Sequence, residues 1–424
     1  GKGIWRRECQ RLWRGGCECS SICDISHPMK IWPQSSEHQS AISHQPALDG
    51  LRGCAALMVL VHHYGLVANF EPQQMTALDG LVRRLLFFGW TGVDLFFVLS
   101  GFLITSILLA SRNDPSYYKL FYTRRALRIL PLYYLVAVIG IYILPVLGTI
   151  GQTLAGDAHI HQIWIWTYTV NIGMLWGRHF GSLDVLWSLA IEEQFYIFWP
   201  LLVHRLKPKT LGCAAFLLMG LGLAIRIVWI LRGAPLVGVY RFTLTRLDGL
   251  AVGAFLACLH SGSLTLGALP RRMLTVSAYL LIAGLCVLLI WCKAFYPTEP
   301  AVAIIGYLAL SGAFGSLLIS ALQPGSLTQH LMNNSALRLV GKYSYGIYVF
   351  HWPIREALLF KAVPAQLVNR VGARGGAFLF CILGIILSLL TSMISFHLYE
   401  KRFLSLKRYF NYKKASPPQR IPDL

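Results

Sequence analysis

Apolar runs close to 20 residues recur along this chain, and at 1.5 Å per helical residue each is long enough to cross a bilayer. With soft edges they fall at 51–70, 89–110, 129–148, 183–203, 211–231, 245–262, 274–292, 302–322, 338–360 and 375–397. In lipid every backbone polar group needs an internal partner, so runs of this length read as helices. The expected fold is an all-α integral membrane protein with about ten transmembrane helices in one bundle. A further stretch, 160–177 (IHQIWIWTYTVNIGMLWG), is rich in Trp and Tyr and reads as a re-entrant or interfacial segment.

Composition supports that class. Of 424 residues 55% are hydrophobic and 13% charged, with mean hydropathy +0.56, so one polytopic domain replaces the two or three soluble domains this length would suggest. The net charge of +20 has no soluble basic domain behind it, which argues against a nucleic-acid partner. Cytoplasmic loops collect Lys and Arg instead. If 160–177 does not cross, internal loops and the tail hold 19 basic residues against ten outside, which places both termini in the cytoplasm. The expected location is a cell membrane, crossed many times.

Residues 1–46 have no apolar periodicity and no signal-peptide core, and read as a disordered cytoplasmic segment in which Met29 offers a natural start. The membrane domain is expected at 47–404, and 405–424 reads as a basic cytoplasmic tail. The cysteines match no zinc-binding spacing, so no metal is expected.

Several residues are too costly in lipid to be incidental. In LDGLRGCAALMVLVHHY (48–64), Arg52 and His63 are eleven residues apart. That is three turns plus about 20°, so they share one face about 16 Å apart along the axis. His63 is the strongest candidate for base, nucleophile or proton relay; a packing histidine bonded across a helix interface is the bland alternative. His62 points about 100° away. Arg125 and Arg128 form an R-x-x-R pair whose guanidinium groups can converge on one phosphate, although spacing alone favours a simple positive-inside anchor.

Glu192, with Glu193 beside it, lies mid-span in LWSLAIEEQFYIFWPLL, where a carboxylate can orient an imidazole or pair with an arginine such as Arg226. Asp94, near the external end of its run, can stay hydrated, pair with an arginine or contact an acceptor. Arg246 and Asp248, two apart, do not face each other on a helix and should serve different partners. Tyr345 and His351 sit in a Tyr-rich run that can line an aqueous acceptor pocket.

Six pieces in order carry a resemblance: LDGLRGCAALMVLVHHY, GWTGVDLFFVLSGFLIT, RRALRILPLYY, LWSLAIEEQFYIFWPLL, RLDGLAVGAFLA and YSYGIYVFHWPI. The chain resembles the acyltransferase-3 family, polytopic bacterial membrane enzymes that O-acylate sugars and related acceptors, across essentially 48–400. The resemblance implies ten spans and an acyl-CoA donor reached from the cytoplasm. It maps the family's arginine-x10-histidine motif onto Arg52 and His63, its R-x-x-R motif onto Arg125 and Arg128, and the acid of its W-S-L-x-x-E pattern onto Glu192. Glu400 is followed by Lys401 where the family often has Glu-Pro, and an extra esterase-like domain found in many members is absent, which implies a standalone transferase.

The expected function is transfer of an acyl group, acetyl in the first instance, from acyl-CoA to a hydroxyl of a carbohydrate or glycolipid. His63 and Glu192 are the expected catalytic residues, and Arg52, Arg125 and Arg128 hold the donor, whose pantetheine arm would pass Gly53 and Ala56. Asp94, Arg246, Asp248, Tyr345 and His351 are candidate acceptor-binding residues. No permanently bound cofactor is expected. Two other classes fit the same intramembrane charges: a proton-coupled transporter or exporter, against which no inverted repeat is visible, and an acyltransferase acting on a membrane lipid.

Overall fold

A computed structural model describes residues 45–66, 76–262 and 296–411. Among these residues every regular element is helical. In chain order the helices are α1 (Pro46–Gly65), α2 (Ala77–Phe88), α3 (Gly92–Ala110), α4 (Tyr117–Val138), α5 (Gly148–Ala155), α6 (Gln162–Trp166), α7 (Val170–Leu175) and α8 (Trp187–Arg205). They continue with α9 (Pro208–Leu231), α10 (Leu236–Arg241), α11 (Leu247–His260), α12 (Tyr307–Leu322), α13 (Leu327–Met332), α14 (Ser335–Phe360) and α15 (Val363–Ser395).

Local sequence explains several boundaries. Pro46 and Pro208 occupy first-turn positions, where a missing N–H costs nothing. Thr76 and Asp79 close a reciprocal capping box on α2, and the Asn334 side chain caps α14. Gly372, at φ +79°, breaks α15 into two pieces.

Five helices have the length and apolar composition to cross a membrane, within 77–110, 117–146, 208–231, 302–322 and 363–409. They coincide with five of the ten expected crossings. Helices also stand at four more expected positions but fall short of that standard for visible reasons. Asp49 and Arg52 interrupt α1, Glu192 and Glu193 interrupt α8, four charges interrupt α14, and α11 has only 14 residues. The expected run 274–292 lies outside the described residues. The segment 160–177 forms α6 and α7, of five and six residues, too short to span.

The outward faces fit lipid. In their most apolar stretches α9 and α15 bury only 22% and 28% of residues, whereas α3 buries 61% and sits centrally. Phe216, Leu217 and Leu231 on α9, and Phe378, Leu390 and Ile394 on α15, are exposed, an apolar surface no water-soluble protein would leave open. The protein is a membrane protein.

Glycine lets α1 lie against α14. A Cβ on Gly53 would come 2.0 Å from the Leu337 carbonyl oxygen, and one on Gly341 would come 1.8 Å from that of Asp49. Backbones in lipid approach this closely only through such small residues. The contact also closes the expected donor path, because the space beside Gly53 holds α14 backbone. Gly101 of α3 and Gly253 of α11 make a second crossing of the same kind.

Candidate functional site

Among the described helices lies a cleft of about 690 Å³, its open mouth included. Arg52 of α1 and Arg125 and Arg128 of α4 line it, as does Ser100 of α3. Glu192 and Glu193 of α8 add two carboxylates, and Tyr345 and Tyr348 of α14 form a wall. Three guanidinium groups against two carboxylates leave the lining net cationic, suited to an anionic ligand in a low-dielectric setting.

Arg125 and Arg128 share this lining because they are three apart on one helix, so their side chains are neighbours. Arg125 lies 4.0 Å from the centre of the Tyr196 ring, and its Nε has no hydrogen-bond partner although buried. Among the described residues neither Arg125 nor Arg128 makes an ion pair within 4 Å. Arg52 is held 3.3 Å from Asp49, one turn away on α1.

Glu192 accepts hydrogen bonds from Tyr196 Oη at 2.6 Å and Ser100 Oγ at 3.1 Å. Its expected contact with His63 is not made. The group beside the His63 ring is His351, whose Nε2 lies 3.1 Å from His63 Nδ1. The reason is geometric: Glu192 projects from α8 toward α3 and α4, whereas His63 projects from the far end of α1 toward α14.

His351 is fully buried, with Nδ1 2.7 Å from the Tyr348 carbonyl oxygen. Trp352 meets the His63 ring edge-on at 4.9 Å, and His62 does the same. Arg355 Nε donates to the His63 carbonyl at 2.8 Å, serving one of the acceptors that a helix end leaves open.

The arginine cleft and the histidine pair meet through Tyr348. Its ring lies 5.5 Å from that of His351, one turn away on α14, and its hydroxyl is 2.5 Å from Ser188 Oγ, another cleft residue. Tyr348 belongs to the Tyr-rich run that the sequence offers as a pocket lining, whereas nothing in the sequence marks Ser188. Tyr345 does line the cleft, where its hydroxyl donates to the Ile129 carbonyl at 2.8 Å.

Asp94, Arg246 and Asp248 stand elsewhere. Asp94 is 2% exposed rather than hydrated, and Arg246 Nη2 donates to its Oδ1 at 2.8 Å. Arg226 pairs with Asp248 at 2.5 Å instead of with a glutamate. Arg246 and Asp248 do serve different partners, as their spacing requires. Aromatic rings close this region, with Tyr307 and Tyr240 centred 4.1 and 4.8 Å from the Arg246 guanidinium carbon. None of the three residues lines the cleft; they tie α3, α9 and α11 together.

The short helices of 160–177 brace α8 beside the site. Gln194 of α8 donates to the Tyr168 carbonyl and to Asn171 Oδ1 at 2.9 and 3.0 Å, and accepts from Thr243. At the opposite end of the chain Arg124 of α4 donates to the Phe410 carbonyl at 2.6 Å, so residues up to 411 dock on the bundle rather than trailing from it.

A family model described as an acyltransferase domain matches residues 45–394. The peptidoglycan O-acetyltransferase OatA of Listeria monocytogenes is 33% identical over 328 residues, which are 73% of this chain and 49% of that protein. A Bacillus subtilis protein named as a putative peptidoglycan O-acetyltransferase, YrhL, is 30% identical over 374 residues, 84% of this chain and 54% of its own. The O-acetyltransferase OatA of Staphylococcus aureus is 30% identical over 321 residues, 73% and 50% of the two chains. The chain thus spans about half the length of the curated relatives it matches. No solved structure matches it. The family match covers α1 through nearly all of α15 and takes in both the cleft and the histidine pair, and on that ground this chain belongs to the acyltransferase-3 family.

Proposed function

We propose that the chain is a membrane-bound O-acyltransferase that moves an acyl group, acetyl in the first instance, from acyl-CoA to a hydroxyl of a cell-envelope carbohydrate. The observation that carries this reading is that one tyrosine, Tyr348, walls the arginine-lined cleft on one side and packs against the His63–His351 pair on the other. A donor with phosphates at one end and a thioester at the other has the polarity of that cleft. Arg52, Arg125 and Arg128 would hold the phosphates. The two relatives named for peptidoglycan make that polymer the first acceptor to test.

His63 is the reacting group in this reading. As a base, its ring nitrogen takes the proton of the acceptor hydroxyl while the oxygen attacks the thioester carbonyl carbon. The carbon–sulfur bond then breaks, and the leaving thiolate takes that proton from the imidazolium. By the second route the same nitrogen attacks the thioester first, forms an acyl-imidazole, and passes the acyl group to the hydroxyl in a second displacement. Both routes give an ester and a free thiol. Glu192, held by Tyr196 and Ser100, balances the arginines in the cleft wall and does not orient the imidazole.

The test uses membranes from cells expressing the full chain, supplied with radiolabelled acetyl-CoA and isolated cell-wall glycan. Label in alkali-labile ester on the glycan, lost in a membrane-inserted His63→Ala variant, is the expected result. Wild-type transfer by that variant would remove His63 from the reaction.

A further inference from the structure

We propose that His351 is a positioning residue that locks His63 into one tautomer and so determines which of its nitrogens reacts; the inference rests on the reading of His63 as the reacting group. A carbonyl oxygen can only accept, so the His351 nitrogen 2.7 Å from the Tyr348 carbonyl carries a proton. A second proton on this ring would put a cation at a position with no solvent exposure. No carboxylate contacts it among the described residues, and an unpaired buried charge of that kind is strongly disfavoured. His351 is therefore neutral, with its lone pair on Nε2.

That lone pair faces His63 Nδ1 at 3.1 Å. Two lone pairs do not attract, so His63 Nδ1 carries the proton and donates it. One position is left unprotonated on the His63 ring, and it is Nε2. The acting nitrogen is thus fixed by a partner 288 residues away in the chain.

The pair also carries charge. When His63 Nε2 gains the hydroxyl proton, or an acyl group, the ring becomes cationic and its Nδ1–H bond to His351 strengthens. His351 passes polarisation on through its own Nδ1–H to the Tyr348 carbonyl, and no proton needs to leave either ring. This is the part that a carboxylate plays behind the histidine of a hydrolase triad, taken here by a neutral imidazole.

Its support is itself fixed. Tyr64 Oη donates to the His351 carbonyl at 2.8 Å and lies 3.0 Å from Ser388 Oγ, tying α1, α14 and α15 together at this level. Tyr64 follows His63 directly, so one turn of α1 supplies both the reacting ring and the anchor of its partner.

The test compares His351→Leu, which keeps bulk and removes the acceptor, with His351→Gln, whose amide oxygen can accept from His63 Nδ1–H. In the membrane assay the Leu variant should lose roughly 100-fold or more in kcat with little change in KM for acetyl-CoA, short of the roughly 10,000-fold that the wrong histidine tautomer costs a triad. The Gln variant should recover at least about tenfold of that loss. Equal activity of the two variants would overturn the proposal. A second measurement reads wild-type protein directly, whatever the variants or the donor do: solid-state spectra of ring-15N histidine, with His63→Gln to assign the signals. A His63 ring protonated at Nδ1 and bare at Nε2 is expected. The opposite tautomer would overturn the assignment, and loss of activity in His63→Ala tests the underlying reading separately.

Discussion

Removing Asp94 should damage the fold far more than the recognition of any substrate. The Asp94→Ala variant leaves Arg246, 1% exposed, without its 2.8 Å partner. With the charge centres about 4 Å apart and an effective dielectric constant of about 20, the lost attraction is about 4 kcal/mol. Breaking buried pairs by removing one partner costs about 3–5 kcal/mol, in agreement. The rings of Tyr307 and Tyr240 remain over the guanidinium and keep the loss toward the lower end, about 3 kcal/mol. Arg246→Met should cost a similar amount by stranding Asp94. The double variant removes both charges and should cost much less than the sum, giving a coupling of at least about 2 kcal/mol. Denaturant titration of detergent-solubilised protein, followed through its 12 tryptophans, measures each corner of the cycle. An Asp94→Ala variant that unfolds at the wild-type midpoint and raises only the KM for acceptor would instead make the carboxylate a ligand for substrate.

Two further outcomes follow from the same geometry. Gly53→Ala should separate α1 from α14, since its new methyl would meet the Leu337 carbonyl at 2.0 Å, and overpacking of this kind costs about 1–3 kcal/mol. Crosslinking between cysteines placed on the two helices reads the separation, and undiminished crosslinking with unchanged unfolding would refute it. Arg125→Ala should raise the KM for acetyl-CoA about tenfold or more while Arg125→Lys recovers only part, because a point charge cannot replace a planar fork. Identical KM values in wild type and both variants would remove Arg125 from the donor site.

What was legible in the sequence was whatever depends on neighbours along one helix. The adjacency of Arg125 and Arg128 in the cleft wall and the divergence of Arg246 and Asp248 both follow from 100° per residue. Each could be read without knowing which helix packs on which. The partners could not. Asp94 meets Arg246 across 152 residues, and His351 meets His63 across 288. Periodicity carries no information about such pairings, so an acid that satisfies a buried arginine looks the same as one that binds substrate.

Glu192 shows how this misled. A carboxylate is the usual orienting group for an imidazole, and chemistry alone makes it the natural choice. The glycine crossing decides otherwise, because it presses α14 against α1 and brings His351, rather than anything on α8, to the His63 ring. That outcome also suits the solvent. A carboxylate beside His63 would have to be desolvated in lipid before any proton moved, whereas a neutral imidazole accepts the same hydrogen bond with no net charge to bury. The carboxylates stand instead among three arginines, where their charge is already matched. The two histidine rings thus stay neutral until substrate arrives, an arrangement that a replacement of His351 by Glu should disrupt rather than improve.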